Sequence, residues 1–145
     1  MTPRFVSEWH VRLFTQPRVR VLLWVAIAAV VAAMTMPFRY FTGHPVWANI
    51  EWIPFTDPTT HWHDILANMV LFSPFGYLLA MRRKRDLGVI WKVTAAGAAL
   101  SFCGEFYQIF CIHRHPSITD ILSNTIGTLG GAWVAMLLES SANLP

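Results

Sequence analysis

Four apolar stretches, at about residues 21–38, 65–81, 89–110 and 118–138, take up more than half of this 145-residue chain. Each approaches the roughly 20 residues that a helix needs to cross a hydrocarbon core about 30 Å thick. Hydrophobic residues make up 54% of the chain and charged residues 13%, a balance too apolar, at this length, for a soluble multidomain protein. The expected fold is therefore all-α: a polytopic membrane protein of four transmembrane helices with short connections. A net charge of +3 would suggest nucleic acid in a soluble chain. Here the basic residues flank apolar stretches, so no nucleic-acid partner is implied and membrane lipids are the expected surroundings.

The basic residues also set an orientation. Arg4, Arg12, Arg18 and Arg20 precede the first stretch, and Arg82, Arg83, Lys84, Arg85 and Lys92 surround the connection after the second. Only Arg39 and Arg114 fall on the other side. The positive-inside rule then places both termini in the cytoplasm and turns the loops 39–63 and 111–117 outward. A cleaved signal peptide is the rival reading of the first stretch, given the small residues from Ala26 to Ala33, but its basic leader would be unusually long. Pro74 predicts a kink in the second helix. Tyr40, Phe41, Trp47, Trp52, Phe55 and Trp62 give the first outer loop an aromatic density suited to the headgroup region, where such rings act as anchors.

One pentapeptide pattern occurs twice, as Asp64-Ile-Leu-Ala-Asn68 and as Asp120-Ile-Leu-Ser-Asn124, each time opening an apolar stretch. An ionisable group inside a bilayer costs roughly 2.5–3.5 kcal/mol by insertion scales, so such groups usually face the bundle interior and serve a purpose. Asp and Asn four apart share one helix face, with Asn about 6 Å deeper. The two copies suggest an internal repeat of two parallel helical hairpins, although five residues are too few to establish duplication. Glu105 and Gln108 end the oppositely directed third helix and reach a similar depth. Asp64, Asn68, Glu105, Gln108, Asp120 and Asn124 are thus expected in one outer layer, with Arg114 as counter-charge or as a bidentate clamp for an anionic group. Capping is the plainer reading of the two Asp residues, since Ser117-x-x-Asp120 resembles a capping box and acids suit helix N-termini. It explains Glu105, near a helix C-terminus, poorly.

Other features read as structural. His61, His63, His113 and His115 lie in the outer loops, but His-x-His in a loop is weak spacing for a metal, so neither metal nor cofactor is expected. Cys103 and Cys111, about 12 Å apart along one helix, cannot pair and read as small apolar fillers. Gly127 and Gly131 form a GxxxG pattern in the fourth helix, for which packing within the bundle is favoured over dimerisation.

These residues together resemble the VanZ-like membrane protein family. The resemblance rests on Asp64-x-x-x-Asn68 with Phe72-Ser73-Pro74-Phe75-Gly76, on Glu105-x-x-Gln108, on Arg114, and on Asp120-x-x-x-Asn124-x-x-Gly127 with Gly131. Ile53-Pro54-Phe55 also looks like an element that precedes the second span in many relatives. The match runs over about residues 50–138, and the expectation is one such domain over residues 1–145. It implies a multi-pass envelope protein, the namesake being associated with reduced susceptibility to the glycopeptide teicoplanin. The reading that follows is binding or screening of an envelope lipid or glycopeptide through the outer polar cluster, without catalysis. An enzyme is the alternative, with Glu105 or Asp120 as general base and Arg114 clamping a lipid-linked phosphate or sugar. A structural partner of an envelope-assembly complex is a third reading.

Overall fold

A computed structural model of the chain describes residues 17–36, 40–56, 61–81 and 86–142. Among these residues the fold is all-helical: α1 (Pro17–Thr35), α2 (Trp62–Ala80), α3 (Leu87–Gln108) and α4 (Ile118–Ala142), with one 3₁₀ turn at Trp47–Asn49 and no strands. The basic residues Arg4, Arg12, Arg39 and Arg82 to Arg85, on which the orientation mostly depends, lie outside the described residues.

Helix α4 is the centre of the bundle. It runs parallel to α2 and antiparallel to α3, and small residues set both crossings. A Cβ added at Gly127 would overlap the carbonyl of Met69, one at Gly131 the carbonyl of Ser73, and one at Gly76 the carbonyl of Thr128. Backbone therefore packs directly on backbone along the α2–α4 seam, as small-xxx-small helix pairs allow. On the other side, Gly97 of α3 leaves just the room that the Thr128 side chain fills. Farther along, Ala132 and Ala135 pack with Ile90 and Val93 of α3 and Ala80 of α2. Helix α1 joins through Val30 and Met34, which meet Phe72, and Met34 occupies the space that a side chain at Gly104 would need.

Burial is inverted relative to a water-soluble bundle. Ser101, Thr119, Ser123, Asn124 and Thr128 are buried, whereas Trp24 and Trp91 are 69% and 67% exposed and Val70, Phe102, Val134 and Leu137 also face outward. In water such an arrangement wastes the main driving force for folding. Against hydrocarbon, where burial of large apolar groups brings no gain, close packing of small and polar residues is what holds helices together. By length and composition, two helices suffice to cross a membrane, Leu87–Gln108 and Ile118–Leu138; the apolar part of α1, Val21–Thr35, is shorter.

The loop 40–56 is tied down by its backbone, while Phe41, Trp47, Trp52 and Phe55 keep exposed side chains. It folds over the segment after α3, because an extended backbone must satisfy its polar groups. Thr42 and Val46 donate N–H groups to the carbonyls of Phe110 and Ile109, both at 2.8 Å, and Glu51 N–H donates to Pro116 O at 2.8 Å. Ile118 N–H returns to Glu51 O at 3.2 Å, and Phe55 N–H donates to Thr119 Oγ1 at 2.9 Å. The loop thus runs along one end of the bundle, with Trp47 and Trp52 beside α3 and the start of α4. Cys103 is exposed, Cys111 buried, and both are free thiols.

Candidate functional site

Beside this loop lies a half-open cavity of about 220 Å³. Phe102, Glu105 and Phe106 of α3 with Ile109 just after it form one wall, Ile118 and Ile121 of α4 another, and Trp47, Ile50 and Trp52 flank it with Pro116 and Ser117. The lining is apolar and aromatic except for Glu105 and Ser117. Glu105 is 5% exposed.

The position of Glu105 follows from two helix ends meeting. Its residue sits in the last turn of α3, but the short connection 109–117 folds back so that its carboxylate reaches the start of α4. There Oε2 accepts the N–H of Ser117 at 3.0 Å, and Ser117 Oγ accepts the N–H of Thr119 at 3.1 Å. Ser117 therefore caps α4 as the sequence suggests, but the carboxylate that completes the box comes from Glu105 rather than from Asp120. The dipole objection to an anion at a helix C-terminus does not hold here, because the relevant terminus is the N-terminal end of α4.

Released from the box, Asp120 serves the parallel seam. Asn68 Nδ2 donates to Asp120 Oδ1 at 2.7 Å, which joins the first pentapeptide to the second. The equivalent Asn124 does not reciprocate: its Nδ2 donates to Ser101 Oγ on α3 at 2.9 Å, in the buried interior. The two pentapeptides begin parallel neighbouring helices, yet their contacts are not equivalent, so the sequence repeat is not a contact repeat. Asp64 stays at the surface, where Oδ2 accepts the N–H of His61 at 3.0 Å and caps α2.

Two predicted members turn toward α1 instead. Gln108 Nε2 donates to Met34 O at 3.2 Å. Arg114 donates to the carbonyls of Ala33, at 3.5 Å, and of Met36. A cation at a helix C-terminus is favourable for the same dipolar reason that an anion suits an N-terminus. Among the described residues no ion pair joins Arg114 to Glu105, Asp64 or Asp120. The expected single layer is thus three linked groups at one end of the bundle: Glu105 with Ser117, Asn68 with Asp120, and Gln108 with Arg114 on α1. Ser101 is the member absent from the expected layer, and Ser117, expected only as a cap, joins it through Glu105. Ser101 was detectable, since Thr94, Gly97, Ser101, Gly104, Glu105 and Gln108 mark one small and polar face of α3 at helical spacing.

The Asn68–Asp120 bond gives a specific expectation. Asn68→Ala and Asp120→Ala should be non-additive, with a coupling of about 0.5–3 kcal/mol in a double-mutant cycle read by thermal unfolding in detergent. Asn124→Ala and Asp120→Ala, which share no bond, should add. The reverse pattern would remove the cross-helix bond from the site.

Comparison with known proteins matches residues 15–139 to the VanZ/LLP1 family. Protein VanZ of Enterococcus faecium is 27% identical over 106 residues, covering 73% of this chain and 61% of that protein. The chain thus matches about three fifths of that relative's length. No solved structure matches it.

Proposed function

The chain belongs to the VanZ/LLP1 family, and we infer that it is a four-span protein of the bacterial inner membrane that binds or screens an amphipathic component of the cell envelope at the Glu105 cavity. The observation that carries this reading is the cavity itself, an aromatic-lined space with one buried carboxyl group at its wall. Such a space takes an apolar group, and Glu105 favours a ligand that also offers a hydrogen-bond donor or a cation. The outward-facing aromatic and aliphatic side chains support the membrane setting. A change in susceptibility to the glycopeptide teicoplanin is the expected cellular consequence. Asn68, Asp120, Asn124, Gln108 and Arg114 hold the helix ends that shape the cavity, with Asp64 capping α2. An anion-clamping role is not favoured for Arg114, whose donors are directed to the end of α1.

In this reading the cavity faces outward and both termini face the cytoplasm. Cysteine introduced at Trp47 or His115, both exposed, with Cys103 and Cys111 replaced, should react with an impermeant maleimide in intact cells, whereas cysteine at Lys84 should not. Labelling at Lys84 alone would invert the orientation. Mass spectrometry of the protein extracted into mild detergent tests the binding: a copurifying amphipathic envelope molecule is expected, and an empty chain contradicts it.

A further inference from the structure

The outer histidines are not equivalent in the folded chain. His113 stacks edge-on to Tyr40, with ring centroids 5.1 Å apart. His61 and His63 instead converge, their rings 5.0 Å apart, on either side of the carboxylate of Asp64. His61 Nδ1 lies 3.9 Å from Asp64 Oδ2, and His63 Nε2 lies 3.5 Å from Oδ1. One ligand atom from each of the three residues lies within 4.8 Å of the other two.

Local backbone produces this convergence. His61 precedes α2 in extended conformation, with φ −93° and ψ 151°, and Trp62 begins the helix. The change from extended to helical backbone brings residues 61, 63 and 64 to one side of the helix start. The cap fixes the carboxylate, since His61 N–H holds Oδ2 at 3.0 Å and Oδ1 remains toward His63. An orienting hydrogen bond of this kind is what metal-ligating carboxylates ordinarily have.

We propose that His61, His63 and Asp64 bind one divalent transition-metal ion of the zinc class. Two imidazoles and a carboxylate suit Zn²⁺ and its neighbours rather than Ca²⁺ or Mg²⁺, which take oxygen donors. Tetrahedral donors about 2.0–2.2 Å from zinc stand about 3.4 Å from one another. The widest separation of 4.8 Å therefore has to close by about 1.4 Å, within reach of side-chain rotation at an exposed position. Three protein donors leave the fourth position to water or to an external ligand. The ion sits one helical turn from Asn68 and adds positive charge beside Asp64, a surface that otherwise carries two neighbouring carboxylates, Asp64 and Asp120.

The test uses the full chain purified without a polyhistidine tag, titrated with Zn²⁺ against a chromogenic chelator and, separately, with Co²⁺ followed by its visible absorption. One equivalent of Zn²⁺ per chain is expected, with a tetrahedral Co²⁺ spectrum. The His61→Ala/His63→Ala double variant keeps the Asp64 half of the capping box, though not the half that the His61 side chain supplies, and should lose the equivalent, while His113→Ala/His115→Ala should retain it, both with circular dichroism still helical. Absence of saturable binding in the wild type, or its retention in the His61/His63 variant, overturns the proposal. Loss of helicity in that variant turns the decision to His63→Gln, which leaves His61 and Asp64 in place and should likewise lose the equivalent.

Discussion

Gly131→Leu should leave little or no correctly folded protein in the membrane, whereas Gly130→Ala, one position earlier, should be neutral or slightly stabilising. The contrast follows from where each hydrogen points. At Gly131 a Cβ would meet the Ser73 carbonyl oxygen and carbon and the Tyr77 nitrogen, all backbone atoms of α2. No rotamer change can clear them, so α2 and α4 would have to separate along their whole seam. Overpacking in ordinary cores costs about 1–3 kcal/mol and occasionally more, and a clash with fixed backbone at a central crossing belongs at or above the upper end. At Gly130 nothing lies within 4 Å of the added atom, so Ala brings only its better helix propensity, worth up to about 1 kcal/mol. Thermal unfolding monitored by size-exclusion chromatography in detergent separates the two outcomes. Comparable melting of both variants would mean that α2 and α4 do not cross at Gly131.

How much of this could be read in the chain depends on the kind of interaction. The four helices follow from apolar length, and the starts at Trp62, Leu87 and Ile118 fall within three residues of the expected positions, the last two just after the caps Asp86 and Ser117. The GxxxG spacing of Gly127 and Gly131 was legible as a close contact, though not which helix it meets. The partners of the polar residues were not legible. Local spacing makes Asp120 the capping-box partner of Ser117, but the connection 109–117 brings in Glu105 from twelve residues earlier, and tertiary geometry overrides the local pattern. Arg114 illustrates the same limit. Charge counting pairs it with the three acids, whereas the open carbonyls at the end of α1 are nearer and need a donor. The cavity was invisible for a related reason: Trp47 and Trp52 reach its edge through backbone bonds between the loop 40–56 and the segment 109–118, which no local spacing reveals.

Glu105→Gln separates the two things Glu105 does. Glutamine keeps an oxygen that can accept the Ser117 N–H, so the cap on α4 survives, and expression and melting should stay within about 1 kcal/mol of wild type. What disappears is the carboxylate. A hydrogen bond to a charged group contributes about 1.5–3 kcal/mol, so a ligand that donates to Glu105 should lose about tenfold or more in affinity. Any effect of the intact gene on teicoplanin susceptibility should vanish with it. The most direct measurement is mass spectrometry of wild type and Glu105→Gln extracted in equal amounts into the same mild detergent. Retention of an amphipathic envelope molecule by the wild type, and its loss or at least about tenfold depletion in the variant, is the predicted result. Equal retention by both proteins, or by neither, would contradict a binding role for Glu105 and leave it as the cap of α4.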